Sequence, residues 1–150
     1  MASTPAAPNA LSAREVTLLI EEHFPQVHEG TGQVIIEGIA PAETVVRMRQ
    51  DARAVRPGGT VSGPAMFKLA DFSVYAAILG ALAAGALQAV TTSMTINFLM
   101  RPQPADIIAR TRLIKVGRRL AVAEVELYCE GAAEMVAHAT STYALPPQPD

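Results

Sequence analysis

An α+β domain, in which an antiparallel sheet wraps one long buried helix, follows from three features of this sequence. The run from Ala65 to Leu82 is apolar almost all round, as a fully buried helix must be. Four strand-like runs follow it, two of which, Val90 to Met100 and Arg119 to Cys129, alternate with period two, the signature of half-buried strands. The turns between successive strands are too short for crossover helices, which excludes a doubly wound parallel fold.

The elements follow in order. Leu11 to Phe24 is an amphipathic first helix, with Ser12 as N-cap, Glu15 completing a capping box and Pro25 as the stop. Gln33 to Ile39 and Glu43 to Gln50 are paired strands turning at Pro41. In the second, Thr44, Val46 and Met48 face one way and Arg47 and Arg49 the other. Pro57-Gly58-Gly59 marks a loop. Ser62 suits an N-cap and Pro64 the first turn of the long helix, with Gly85 as its expected stop. From Phe72 to Val90 there is no charge, a length that can also mark a membrane span. The run is richer in Ala and Gly than in Leu and Ile, and Lys68 and Asp71 stand at its start, so a buried core helix is expected.

A four-strand antiparallel meander completes the domain. Val90 to Met100 is expected to turn Thr92, Met94, Ile96 and Phe98 to one face and Thr91, Ser93, Thr95 and Asn97 to the other. Ile107 to Val116, Arg119 to Cys129 and Met135 to Ala144 follow, with turns at Gly117-Arg118 and Gly131.

The 150 residues correspond to one domain, over residues 11–145. Residues 1–10 and 146–150 are proline-bearing and expected as disordered tails, the first without the pattern of a signal peptide. Half the residues are hydrophobic but only 5% aromatic, with no Trp, so the core is aliphatic. A net charge of -2 gives no strong pull toward nucleic acid or an anionic membrane. The lone Cys129 excludes an internal disulfide and a cysteine zinc cage, and fits a reducing, cytoplasmic location.

Asp71 is the anomaly, because an unpaired carboxylate in a buried helix is costly. It either pairs with Lys68, three residues earlier on the same face, or lines a pocket as a general base or nucleophile. The helix start at Ser62-Gly63-Pro64 is either no more than a helix start or an oxyanion site. In the second case Gly63 N–H is the natural donor, because Pro64 has none. Arg101, Arg110, Arg112, Lys115, Arg118 and Arg119 cluster around a single acid, Asp106. They form either a solvated strand face or a seat for a phosphate-rich ligand. His23, His28 and His138 lack metal-ligand spacing. His138 reads as structural or surface and Cys129 as a buried small hydrophobe. No Gly-x-Ser-x-Gly elbow or phosphate loop is present.

Gly59-Thr60-Val61-Ser62-Gly63-Pro64 followed by Leu69-Ala70-Asp71 resembles the signature of the phenylacetate-pathway (PaaI-type) hotdog thioesterases. That signature reads Gly-Thr-Val-His-Gly-Gly and then Leu-Ala-Asp, with the same spacing from the His position to the Asp. Thr91 onward, through Ile96-Asn97-Phe98-Leu99 and Arg101-Pro102, is similar to the family's next strand. Val116-Gly117-Arg118-Arg119-Leu120-Ala121 resembles its hairpin and Thr140 to Tyr143 its last strand.

The resemblance implies a hotdog fold and a homodimer joining two sheets edge to edge, often paired into a homotetramer. It implies active sites at the dimer interface and hydrolysis of an acyl-CoA to a carboxylic acid and free coenzyme A. No cofactor is expected beyond the coenzyme A of the substrate. By position Asp71 matches the catalytic carboxylate and Gly63 the backbone donor to the thioester carbonyl. Thr91 matches a hydroxyl that in some members orients water from the partner subunit. Ser62, Arg56, Asn97, Lys115, Gly117, Arg118 and Arg119 are the expected substrate-binding positions. Arg118 and its neighbours fall where the nucleotide end is often held. Ser62, Pro64 and Arg56 depart from the family's His, second Gly and upstream Asn. A non-catalytic acyl-CoA or acyl-carrier-protein binding module is the alternative. A hotdog dehydratase would need a His near the helix, and none lies between His28 and His138.

Overall fold

The computed structural model describes residues 10–30 and 32–147. Residues 1–9 and 148–150, which hold most of the two expected tails, lie outside the described residues.

Helix α1 (Ala13–His23) opens with the expected capping box. Ser12 Oγ accepts from Glu15 N–H, and Glu15 Oε1 accepts from Ser12 N–H, both at 3.1 Å. Val16 and Ile20, one turn apart, are its buried residues, and the helix packs on strand β1 (Val34–Ile39) and on the long helix α2 (Gly63–Leu82). Pro25 ends the α-helix and begins a single 3-10 turn, Pro25–His28. Strand β1 pairs with β2 (Thr44–Met48). Thr44, Val46 and Met48 point inward and are buried. Arg47 lies on the other face, within 3.0 Å of Glu37, 2.9 Å of Asp106 and 2.8 Å of Glu130. The Pro57-Gly58-Gly59 loop is flanked by two-residue strands, β3 (Val55–Arg56) and β4 (Thr60–Val61). These are too short to show any alternation in the sequence.

Ser62 caps α2 by accepting from Ala65 N–H at 3.3 Å, with Pro64 in the first turn. Every residue from Phe72 to Gly80 is buried, so the helix has no polar side. Each Leu, Ile or Phe so buried contributes about 1.5–3 kcal/mol. Gly80 is required by close approach, since a Cβ there would lie 2.9 Å from Ile39 Cγ2 of β1. The helix and its following turn, Gly63–Ala86, are long and apolar enough to cross a membrane by composition, yet 67% of the most apolar stretch is buried inside the protein. The expected stop at Gly85 is displaced. The helix ends at Leu82, Ala83 takes φ 59° and ψ -155°, and Gly85 lies within a 3-10 turn, Ala83–Ala86.

Strands β5 (Val90–Phe98), β6 (Ile107–Val116), β7 (Leu120–Cys129) and β8 (Met135–Ala144) follow. One six-stranded sheet runs in the order β1-β2-β6-β7-β8-β5, with every neighbouring pair antiparallel. The expected meander therefore holds for β6, β7 and β8 only. Residues 99–106, with Pro102 and Pro104, carry the chain across the sheet instead of closing a hairpin, so β5 forms one edge and β6 docks on β2. Helix α2 crosses the inner face, contacting all six strands. Buried Ser73 and Thr111 join it to β6 through a hydrogen bond between their hydroxyls.

The faces of β5 also differ from strict alternation. Thr91 pairs with Tyr143 but Ser93 pairs with Thr142, so Thr92 is an extra residue. A bulge of this kind flips the side chains that precede it. Thr91 therefore shares the inner face with Met94 and Ile96, where the alternating pattern places Thr92.

The left-handed φ at Ala83 is a conformation that glycine adopts without its usual cost of about 1–3 kcal/mol. Ala83→Gly is expected to raise stability by about 1 kcal/mol, read as an increase in Tm by calorimetry.

Candidate active site

Asp71 lies in the third turn of α2 and is half-buried. Thr91 Oγ1, brought inward by the β5 bulge, donates to Asp71 Oδ1 at 2.6 Å. Tyr143, from the paired position on β8, donates its hydroxyl to the same Oδ1 at 2.8 Å and lies 3.0 Å from the Asp71 carbonyl oxygen. Three elements thus meet at one carboxylate oxygen. Oδ2 has no hydrogen-bond partner among the described residues. Burial and the adjacent Asp71 charge push the Tyr143 phenol far above its ordinary range. It therefore stays neutral and acts as a donor, which suits a charged carboxylate.

The alternative of an Asp71–Lys68 ion pair is not formed. Lys68 Nζ donates instead to the Glu29 carbonyl at 2.9 Å. Partial burial lowers its pKa, and the nearby Arg53 charge acts in the same direction.

A cavity of about 790 Å³ opens beside Asp71. Its walls are the end of α1 and the following turn, the middle of α2, and the start of β5. Aromatic rings line one side. Tyr143 stacks on Tyr75 at 6.4 Å between centroids, and Phe24 meets Tyr75 edge-on at 6.1 Å. The Tyr75 hydroxyl donates to the Leu87 carbonyl at 2.7 Å, so the rest of its ring serves as apolar wall.

The other predicted residues fall into separate groups. Gly63 stands at the start of α2, eight residues before Asp71 and about 12 Å away along the axis at 1.5 Å per residue. Its N–H has no partner among the described residues, while Ala65 N–H is taken by Ser62. Phe98 packs over it, 3.3 Å from where a Cβ would stand. Arg56 is exposed on β3 near this end, and Asn97 is exposed on β5 opposite His138.

The basic cluster does not form one patch. Arg110 pairs with Glu43 at 2.8 Å and Arg112 with Glu124 at 3.0 Å. Glu124 also holds His138 at 3.3 Å, and Cys129 is buried as expected. Lys115, Arg118 and Arg119 are exposed around the β6–β7 turn at Gly117. That turn lies at the Thr91–Tyr143 end of the sheet, because Tyr143 pairs with both Ala121 and Thr91. Among the described residues, no cluster of His, Cys, Asp and Glu could hold a metal.

Tyr143 and Phe24 escaped the sequence reading as site residues. The signal for Tyr143 was available: Ala139, Ser141 and Tyr143 share the buried face of β8, and a phenol there needs an acceptor.

Residues 64–144 match the family profile of the acyl-CoA thioesterase N-terminal domain. Among solved structures, a protein from a Silicibacter species described as a thioesterase is 40% identical, with a TM-score of 0.84 over 95% of this chain and 97% of that one. A mutant of the phenylacetic acid degradation protein PaaI from Thermus thermophilus is 25% identical, with a TM-score of 0.65 over 86% and 99%. Thioesterase superfamily member 2 of zebra fish shares the fold at 24% identity, with a TM-score of 0.75 over 91% and 100%. No curated protein matches by sequence. With a buried helix wrapped by this sheet and a family profile covering more than half its length, the chain belongs to the hotdog-fold acyl-CoA thioesterases, hydrolases of coenzyme A thioesters.

Proposed function

We propose that this protein hydrolyses an acyl-CoA through Asp71, in a site completed by the Gly63 end of a second copy. The observation that carries the reading is the asymmetric carboxylate: Thr91 and Tyr143 both hold Oδ1, leaving Oδ2 for chemistry. Two charge-assisted hydrogen bonds fix its orientation. Fixed orientation is a large part of what a general base or nucleophile contributes.

In the base route, Oδ2 takes a proton from water and the hydroxide adds to the thioester carbonyl carbon. The resulting oxyanion is held by Gly63 N–H at the positive end of a helix dipole. Collapse breaks the C–S bond, and the proton on Asp71 passes to the leaving thiolate. In the direct route, Oδ2 itself adds to the carbonyl carbon, the C–S bond breaks, and the coenzyme A thiolate leaves and takes a proton from solvent; water then hydrolyses the mixed anhydride to the acid and the free Asp71 carboxylate. Both routes use the same oxygen.

Two features support the second copy. Within one chain Gly63 lies about 12 Å along the helix from Asp71, too far to share one carbonyl group. Strand β5 is a nine-residue sheet edge, and Val90, Phe98, Leu99 and Met100 at its ends are exposed. Edges of this kind pair with other chains. Two-fold antiparallel pairing of β5 with its copy brings the Gly63–Phe98 end of one chain toward the Thr91 end of the other. The exposed Arg118 and Arg119 then stand near each carboxylate, available to the phosphates of coenzyme A.

Asp71→Asn is expected to abolish thiol release from acyl-CoA while leaving acyl-CoA binding largely intact. Equal release by mutant and wild type overturns the role of Asp71, and no release from any acyl-CoA by the wild type favours a binding module. Tyr143→Phe removes one hydrogen bond to a charged group, worth about 1.5–3 kcal/mol, and is expected to lower kcat by about 10- to 100-fold with KM little changed. Coexpressing Asp71→Asn and Gly63→Val chains is expected to restore activity that neither variant has alone. Failure of that complementation argues for a site built within one chain.

A further inference from the structure

One wall of the cavity beside Asp71 is made by the end of the N-terminal helix and the turn that follows it. Pro25 terminates α1, so Phe24 is its last capping residue, with its N–H on the Ile20 carbonyl at 2.7 Å. From there the chain continues as a short 3-10 turn, with Phe24 and Val27 in the cavity wall. The line of rings starts at the carboxylate: Tyr143 bonds Asp71, Tyr75 stacks on Tyr143, and Phe24 stands edge-on to Tyr75 at an interplanar angle of 84°. A chain attached to a carbonyl at Asp71 and lying along these rings runs into Phe24. Much of the remaining lining is apolar, with Phe72, Leu87, Ala89 and Val90 beside the rings.

We infer that Phe24 is the specificity-determining residue of this enzyme, acting as a stop that limits the length of an apolar acyl group. The inference rests on the thioesterase reading of the same cavity. Phe24 touches the acyl group, not the reacting atoms, so it sets which thioester is used without supplying a step.

The test measures kcat/KM on a straight-chain series from butanoyl- to hexadecanoyl-CoA for the wild type, Phe24→Ala and Phe24→Trp, with each melting temperature recorded. Phe24→Ala is expected to move the optimum to longer chains. Each methylene newly admitted should improve kcat/KM about four- to tenfold. Phe24→Trp, which adds bulk at the same place, is expected to move the optimum to shorter chains, so a folding defect in the alanine variant does not decide the outcome. An unchanged optimum in either folded variant overturns the inference and leaves the thioesterase reading intact. Release of thiol by none of the three proteins overturns that reading, and the inference with it.

Discussion

A helix with no polar side cannot lie on a surface, and the architecture follows from that constraint. From Phe72 to Gly80 every residue of α2 is buried. The sheet must therefore curve around it, and the C-terminal half of α1 must help to cover it. Each polar group the helix carries inward then needs a partner. Ser73 finds Thr111, Tyr75 finds the Leu87 carbonyl, and Asp71 finds Thr91 and Tyr143. The first two ties are satisfied at both ends and hold the helix against its surroundings. The third is satisfied at one oxygen only, which sets Asp71 apart from the other two along a single helix.

Asp71 is thus an exception to the burial that builds the fold. Its partners come from elements distant in sequence, with Tyr143 lying 72 residues from Asp71. Both partners enter through the pairing of the edge strand β5 with β8. Geometry at the carboxylate consequently depends on one strand register, and that register depends on one extra residue, Thr92.

Much of this was legible in the sequence because it is local. The Ser12–Glu15 capping box, the Ser62 cap with Pro64 behind it, and the alternation of Ala121, Ala123, Val125 and Leu127 are short-range features, and they appear where the residues place them. Asp71 was conspicuous because a charge in an apolar helix has few explanations. What could not be read depends on partners far along the chain. A bulge leaves composition unchanged while turning side chains over, so strict alternation puts Thr91 on the wrong face. A stop at Gly85 is the local preference, yet the left-handed turn at Ala83 ends the helix at Leu82. The basic cluster reads as single because Glu43, in the turn before β2, and Glu124, on β7, which take up two of its arginines, lie elsewhere in the chain. The crossing of residues 99–106 hid the true neighbour of β5.

The docking of β2 on β6 has a consequence for how the chain acquires this structure. Val46 pairs with Ala109, so the whole of α2 lies in the segment enclosed by that contact. As the chain leaves the ribosome, the apolar helix is complete well before four of the six strands that cover it, β5 to β8, have been made. Contacts between residues so far apart form slowly, and exposed apolar surface invites association with other chains in the interval. Biogenesis of this protein should therefore be sensitive to the rate of synthesis and to chaperone supply, even where the finished domain is stable.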